Sequence, residues 1–280
     1  MTLKEMQACA AQTLMLFTQS MPDVPFGADG VVIEFVTKKN IVERFKALCA
    51  QYAPDRPITE EHCRQLENTV FANAITGRVK SAVVIRIDYK NHEDNLRRIV
   101  FHELMHIYCG KTEMDTEHFI DTYGSGHTPD TNPEDKEYDG YVNAGYSVWS
   151  EFIAEYTAVV KTSPWMHTYA DIADYTNQLL CESVIGNDGA KASFSVAAAY
   201  ILSSSDADDL LDGSDGSEVD MICDMSRKEK AEKSLLNCLR HLYRHIHTEK
   251  PWKINEEFIY DLGCKYLWFL TNNSLSLGMG

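Results

Sequence analysis

The chain has 280 residues, of which 44% are hydrophobic, so it can bury a large core in one domain or in two lobes. Its net charge of -16 and its isoelectric point near 5.0 argue against general binding to nucleic acids or to anionic membranes. No stretch is apolar enough to span a bilayer, and residues 1–21 lack the order of a signal peptide, so we expect a cytoplasmic protein without a membrane partner.

The N-terminal part of the chain predicts a small sheet flanked by helices. Helices are predicted at 1–21, 40–53 and 59–75, and strands at 31–36 and 81–89. In the second strand Val83, Ile85 and Ile87 fall on one face. Arg86 and Asp88 fall on the other face, so we expect this strand to be half-buried.

An amphipathic helix follows this strand. Asn91 is predicted to cap its start together with Asp94, and Gly110 is predicted to end it. Its apolar residues recur at helical spacing: Leu96, Ile99, Val100, Leu104 and Ile107.

Residues 102–106 of this helix read His-Glu-Leu-Met-His, the pattern H-E-x-x-H. Residues four apart lie on one helix face, so His102 and His106 can bind the same metal ion. Glu103 lies beside that face, where a carboxylate can take a proton from a metal-activated water. Zinc suits two nitrogen ligands with a carboxylate and keeps one position open. We therefore expect one zinc ion per chain.

The acidic stretch 111–141 is rich in turn residues and is predicted to be a long loop. A long loop within a compact domain more often has a function than not. Hydrolysis also needs a group that polarises the substrate carbonyl. Several residues could provide it, and the sequence does not show which of them does. The candidates are Tyr123, His127, Tyr141 and, as a catalytic candidate on the next helix, Tyr146.

A later helix offers the third metal ligand. Its apolar face is formed by Val148, Phe152, Tyr156 and Val159. Glu151 and Glu155 lie one turn apart beside this face, where two carboxylates are costly unless something binds them. Glu151 is the preferred ligand and Glu155 the alternative. Further candidates follow soon after the first helix: Asp115, Asp121, His118 and His127.

Over about residues 81–160 the two motifs resemble those of the gluzincin metallopeptidases, in which a glutamate on a later helix completes H-E-x-x-H. The resemblance implies three zinc ligands, His102, His106 and Glu151. It makes Glu103 the general base and Glu155 the outer partner of His102. It also implies a zincin-like fold. The stretch between the motifs is longer here than in compact members. The metzincin extension fits less well, because Cys109 and Thr112 occupy its Gly and His positions.

The rest of the chain is predicted to be mostly helical, at 166–185, 189–203, 226–247 and 255–271, with an acidic exposed loop at 203–220. His241 and His245 share a helix face and are taken as surface residues. The eight cysteines are dispersed without a C-x-x-C pair, so reduced core thiols are expected.

The expected fold is α+β and zincin-like. A lobe of residues 1–125 holds the sheet and the active-site helix, and a helical lobe of residues 126–280 carries the third ligand.

We expect a zinc metallopeptidase that acts on peptides or proteins with a metal-activated water. The alternatives are a non-catalytic metal-binding or regulatory protein of zincin fold and a hydrolase of a non-peptide amide. The intact Glu103 argues against a non-catalytic site. The sequence does not predict the oligomeric state or the choice between endo- and exopeptidase.

Overall fold

The computed structural model describes residues 1–68, 71–87, 92–112, 133–162, 179, 188–204, 207, 227–248, 251–252 and 254–276. The chain forms two compact units. Unit 1 comprises Met1–Met114 with Thr157–Ser163, and unit 2 comprises Asp115–Tyr156 with Pro164–Gly280. The predicted boundary at residue 125 lies outside the described residues. The described part is mostly helical with one small sheet, which confirms the predicted α+β class.

Up to Met114, the described residues of unit 1 form four α-helices, one short 3-10 helix (Ala28–Gly30) and three strands. The helices are α1 (Leu3–Ser20), α2 (Ile41–Tyr52), α3 (Glu60–Asn68) and α4 (Glu93–Lys111), and the strands are β1 (Val31–Val36), β2 (Ala72–Ile75) and β3 (Ser81–Arg86). The strand order is β1-β3-β2, with β1 parallel and β2 antiparallel to β3. Val31 pairs with Ser81, and Ala72 pairs with Ile85.

Strand β3 is the centre of this sheet, and all six of its residues are buried. The prediction that it would be half-buried is therefore wrong, because helices α2 and α4 both pack against it. Even Arg86, placed on the polar face, is only 6% exposed. Its guanidinium carbon lies 5.5 Å from the centre of the Phe71 ring, so Arg86 makes a cation–π contact with Phe71.

The predicted helix 59–75 is wrong over its last part. Helix α3 ends at Asn68, and Ala72–Ile75 forms β2. The sequence Ala-Asn-Ala-Ile fits a helix as well as a strand, so pairing with β3 decides the outcome.

Helix α4 also differs from its predicted ends. His92 precedes the first turn in the capping position, rather than Asn91, and Glu93 and Asp94 lie in that turn. The helix continues past Gly110 to Lys111. A Cβ at Gly110 would lie 3.0 Å from Cγ2 of Thr76, so this glycine allows a close approach.

The described elements of unit 2 are helices. The first, α5 (Pro133–Thr162), belongs to unit 2 up to Tyr156 and to unit 1 from Thr157 onwards. The others are α6 (Asp188–Leu202), α7 (Arg227–Ile246) and α8 (Glu256–Ser276). The helices predicted at 189–203, 226–247 and 255–271 are confirmed within a few residues. The segments predicted at 166–185 and 203–220 lie mostly outside the described residues.

The loop predicted at 111–141 also lies largely outside the described residues, but its end is already helical from Pro133. Proline suits the first turn of a helix because the missing N–H has no intrahelical partner there.

Two glycines bring the backbones of α5 and α8 into direct contact. A Cβ added at Gly145 would lie 1.9 Å from the Ile259 carbonyl oxygen. A Cβ added at Gly263 would lie 1.9 Å from the Tyr141 carbonyl oxygen. Any larger residue at either position would overlap main-chain atoms of the facing helix.

Six cysteines lie within the described residues, and none of them forms a disulfide: Cys9, Cys49, Cys63, Cys109, Cys238 and Cys264. Burial raises the pKa of Cys109 and Cys238 to about 12, so both are neutral thiols. No helix in the described ranges is long and apolar enough to cross a membrane.

Two partly buried histidines, His62 and His241, are expected to make the stability of the fold depend on pH. Burial lowers the pKa of His62 in unit 1 and of His241 in unit 2 below the ordinary value of 6.5. The unfolded chain therefore binds more protons as pH falls through about 6.5, and stability falls with it. We expect His62→Gln and His241→Gln each to flatten the loss of stability between about pH 7.5 and about pH 5.

The measurement is urea unfolding of metal-free protein at a series of pH values. Asn143→Gln, at an exposed position without a titratable side chain, is the control and should keep the wild-type slope. Unchanged slopes in both buried-site variants would contradict the prediction.

Candidate metal centre

Helix α4 brings His102 and His106 together as the spacing predicts. Their Nε2 atoms lie 3.0 Å apart, and the ring centres are 4.7 Å apart in an edge-on arrangement. Two nitrogen ligands at 2.0–2.1 Å from a tetrahedral zinc ion would be separated by about 3.3 Å. The imidazole pair is therefore already close to the separation that a metal ion requires.

Glu151 completes a group of three possible ligands. The ligand atoms of His102, His106 and Glu151 all lie within 4.8 Å of one another, and all three residues are partly buried. Among the described residues no other group of three metal-binding side chains is found. Bringing these atoms to about 3.3 Å from one another requires a shift of at most about 1.5 Å, which rotation of a glutamate side chain can provide. The two imidazoles and the carboxylate therefore fit a metal ion.

Two further carboxylates near this group are withdrawn from solvent. Glu103 is 8% exposed and Glu155 is 2% exposed. Of the two carboxylates of α5, Glu155 is therefore buried and Glu151 is partly accessible. A buried carboxylate needs compensating contacts, and both buried groups have interaction partners. The bond predicted from Glu155 to His102 stays a prediction.

The candidates for polarising a carbonyl are only partly described. Tyr123 and His127 lie outside the described residues, as do the alternative ligands Asp115, Asp121 and His118. The Tyr141 hydroxyl donates to Glu137 at 2.9 Å, which raises the pKa of Tyr141. Tyr146 is partly buried on α5, and its catalytic role stays a prediction.

One cation near Glu103 was not among the predicted site residues. Burial lowers the pKa of Arg56, and attraction to Cys49 and to Glu103 opposes this effect. Arg56 thus lies within electrostatic reach of the glutamate of the motif. Nothing in the local pattern marks Arg56, because it is far from Glu103 along the chain.

The other histidine pair is built differently. His241 and His245 are partly buried, so their assignment as surface residues is wrong. Both imidazoles stack on the Phe258 ring, with ring centres 4.8 Å and 3.8 Å away, and Trp149 meets His245 edge-on. These rings serve packing in unit 2.

Comparison of the chain with protein-family models, with curated proteins and with solved structures finds no match in any of the three. The assignment of function therefore rests on the chemistry of the residues themselves.

Proposed function

We propose that this protein is a zinc metallopeptidase of gluzincin type, with His102, His106 and Glu151 as zinc ligands. The observation that carries the proposal is the convergence of these three side chains around one point, with the carboxylate of Glu103 buried in the same turn of α4. Two imidazoles and one carboxylate form a typical catalytic zinc set, which leaves a position open for the reaction. A zincin-like fold and a cytoplasmic location belong to the same proposal.

A bound zinc ion would polarise the carbonyl of a peptide bond and lower the pKa of a water molecule towards about 7. Glu103 would accept the proton of the attacking water and deliver it to the departing amine. The low exposure of Glu103 strengthens its interactions with the reacting groups, because bulk water screens them little. In this proposal Glu155 would hold His102 in the tautomer that presents Nε2 to the metal.

The first test is metal content. Purified protein should hold about one zinc ion per chain, because the ligand set is complete, and His102→Ala or His106→Ala should each abolish binding. Elemental analysis after gel filtration measures this directly. His247→Ala, an exposed histidine, is the control and should keep full zinc content. Wild-type protein without a stoichiometric transition metal, after exposure to zinc, would overturn the proposal.

The second test separates the two glutamates of α5. Glu151→Ala should lower zinc affinity far more than Glu155→Ala, because loss of an outer-sphere partner costs only about 10- to 100-fold. Competition with a fluorescent zinc chelator gives both affinities. If Glu155→Ala loses the metal and Glu151→Ala retains it, the ligand lies one helical turn further along α5 than proposed.

A further inference from the structure

Beside the crossing of α5 and α8, three tyrosine rings form a cluster at the surface of unit 2. The Tyr260 ring of α8 stacks on the Tyr138 ring of α5 with ring centres 4.8 Å apart, and it meets the Tyr141 ring edge-on at 5.6 Å. Tyr138 is 36% exposed, and the other two tyrosines are partly exposed. The cluster therefore presents aromatic surface to solvent.

Hydrogen bonds to carboxylates hold two of these rings in place. The Tyr138 hydroxyl donates to Oε1 of Glu256 at 2.5 Å, and the Tyr141 hydroxyl donates to Oε1 of Glu137 at 2.9 Å. Because the rings are already fixed, little side-chain entropy is lost when a partner lies against them. The same bonds bring negative charge to the rim of the cluster, where it attracts a cation.

An exposed tryptophan continues this surface along α8. Trp268 is 54% exposed, and Glu257 and Asp261 precede it at a spacing that puts all three side chains on one helix face. Glu257 is exposed and Asp261 is partly exposed, so this face is turned to solvent. Tyr260 precedes Asp261 and links the face to the tyrosine cluster. We call the whole set the aromatic–acidic surface, which comprises Tyr138, Tyr141, Glu257, Tyr260, Asp261 and Trp268.

The ring of Trp268 is available to a partner. Among the described residues no arginine or lysine lies over this ring, whereas Phe45 and Phe71 each have an arginine. Tryptophan and tyrosine are enriched among the residues that dominate protein interfaces, because their rings bury a large area at a small cost in entropy. The aromatic residues of this surface are therefore those of a protein-binding site.

The charge of the surface decides which partner fits. A second copy of this chain would bring its own carboxylates against Glu257 and Asp261, because a two-fold interface uses the same patch of both subunits. A nucleic acid or an anionic membrane would also be repelled, since the chain has a net charge of -16. An apolar partner would remove both carboxylates from water without compensation. A basic polypeptide segment avoids all three costs.

Arginine fits this surface better than lysine does. Its planar guanidinium lies flat on an aromatic ring and also binds a carboxylate through two parallel N–H donors. Lys265 follows Asp261 by one turn, so the most negative part of the surface lies between Glu257 and the tyrosine cluster. We propose that the aromatic–acidic surface binds an arginine-bearing segment of a protein partner. This proposal depends neither on the metal centre nor on the proposed function.

The test is calorimetric titration of metal-free, full-length protein with a peptide of alternating glycine and arginine that is blocked at both ends. Metal-free protein is used so that the proposed zinc site neither cleaves nor binds the probe. The arginine peptide should bind saturably, a lysine version should bind more weakly, and a glutamine version should not bind. No saturable binding of the arginine peptide by the wild type would overturn the proposal.

Substitutions at exposed positions of the surface should weaken this binding without affecting the fold. Trp268→Ala should raise Kd by about 5- to 30-fold, which is the loss expected for a cation–π contact. Trp268→Phe should give an intermediate Kd, because a smaller ring remains. Glu257→Gln should raise Kd by up to about 5-fold, as expected for an exposed ion pair.

Two matched control variants lie in unit 1. Met15→Ala removes an apolar side chain that is 55% exposed, and Glu43→Gln removes an exposed carboxylate with the same change in net charge as Glu257→Gln. Both should bind the arginine peptide with the wild-type Kd. Wild-type affinity in Trp268→Ala, or equal losses in Glu257→Gln and Glu43→Gln, would mean that the peptide responds only to net charge and would overturn the proposal. Equal affinity for the lysine and arginine peptides would overturn it as well.

The indole N–H signal of Trp268 in a nuclear magnetic resonance spectrum gives a second readout. The chain has four tryptophans, so the signal that is missing from the Trp268→Ala spectrum assigns this residue. The signal should shift when the arginine peptide is added, and an unchanged signal at saturation would contradict the proposal. Sedimentation tests the rival occupant, because a wild-type dimer that Trp268→Ala abolishes would assign the surface to a second copy of the chain instead.

Discussion

Glu103→Gln should yield a folded, zinc-loaded protein that cleaves peptides about 10²- to 10⁴-fold more slowly than the wild type. Glutamine keeps the size of the side chain but cannot accept the proton of the attacking water. Glu103 is not one of the three proposed ligands, so zinc affinity should stay close to that of the wild type. The measurement is cleavage of a mixed peptide library, read by mass spectrometry, with zinc content determined on the same sample.

The matched control for this variant is Asp94→Asn, which removes an exposed carboxylate from the first turn of the same helix. It should keep wild-type activity, because Asp94 lies more than two turns from the motif. Equal cleavage by wild type and Glu103→Gln would show that another residue is the base. A zinc-loaded wild type that cleaves no member of a broad library would favour the non-catalytic alternative.

Gly263→Ala and Gly145→Ala should each lower the free energy of unfolding by about 3 kcal/mol or more, towards the upper end of the cost of overpacking. A new methyl group would meet a main-chain carbonyl oxygen of the facing helix at 1.9 Å, and main-chain atoms cannot rotate away. The expected loss is opposite in sign to helix propensity, which favours alanine over glycine by about 1 kcal/mol. Urea unfolding followed by circular dichroism measures the effect.

Gly140→Ala provides the control on the same helix. No atom lies within 4 Å of a Cβ added at Gly140, and the position is exposed. This variant should be more stable than the wild type by up to about 1 kcal/mol, because only helix propensity changes. If Gly145→Ala behaves like Gly140→Ala, the two backbones are further apart than the structure indicates.

The sequence predicts best those helices and strands whose apolar residues recur at the spacing of the element itself. Strand β1 and helices α1, α2 and α4 lie within a few residues of their predicted ends. Strand β2 could not be predicted, because Ala72–Ile75 becomes extended only through pairing with β3. The full burial of Arg86 likewise depends on helices that lie on β3 and on the ring of Phe71, and no local pattern encodes these contacts.

In the candidate site, too, local sequence patterns predict some residues, whereas others depend on tertiary contacts. His102 and His106 are predictable because four-residue spacing fixes their geometry within one helix. The approach of Glu151 was inferred from a pair of carboxylates beside an apolar face and from the resemblance to gluzincins, and the three-residue group confirms it as a possible ligand. Arg56 carries no such signal, because its contacts with β2 are made through the tertiary fold.

The backbone contact at Gly145 also bears on how the proposed metal ligand Glu151 is held. Glu151 follows Gly145 on the same helix by six residues, or roughly 9 Å along the axis. At the crossing no side chain of Gly145 or Gly263 separates the helices, so no rotamer change there can let α5 slide along α8. The backbone that carries Glu151 is therefore fixed against α8 when unit 2 folds, before any metal binds.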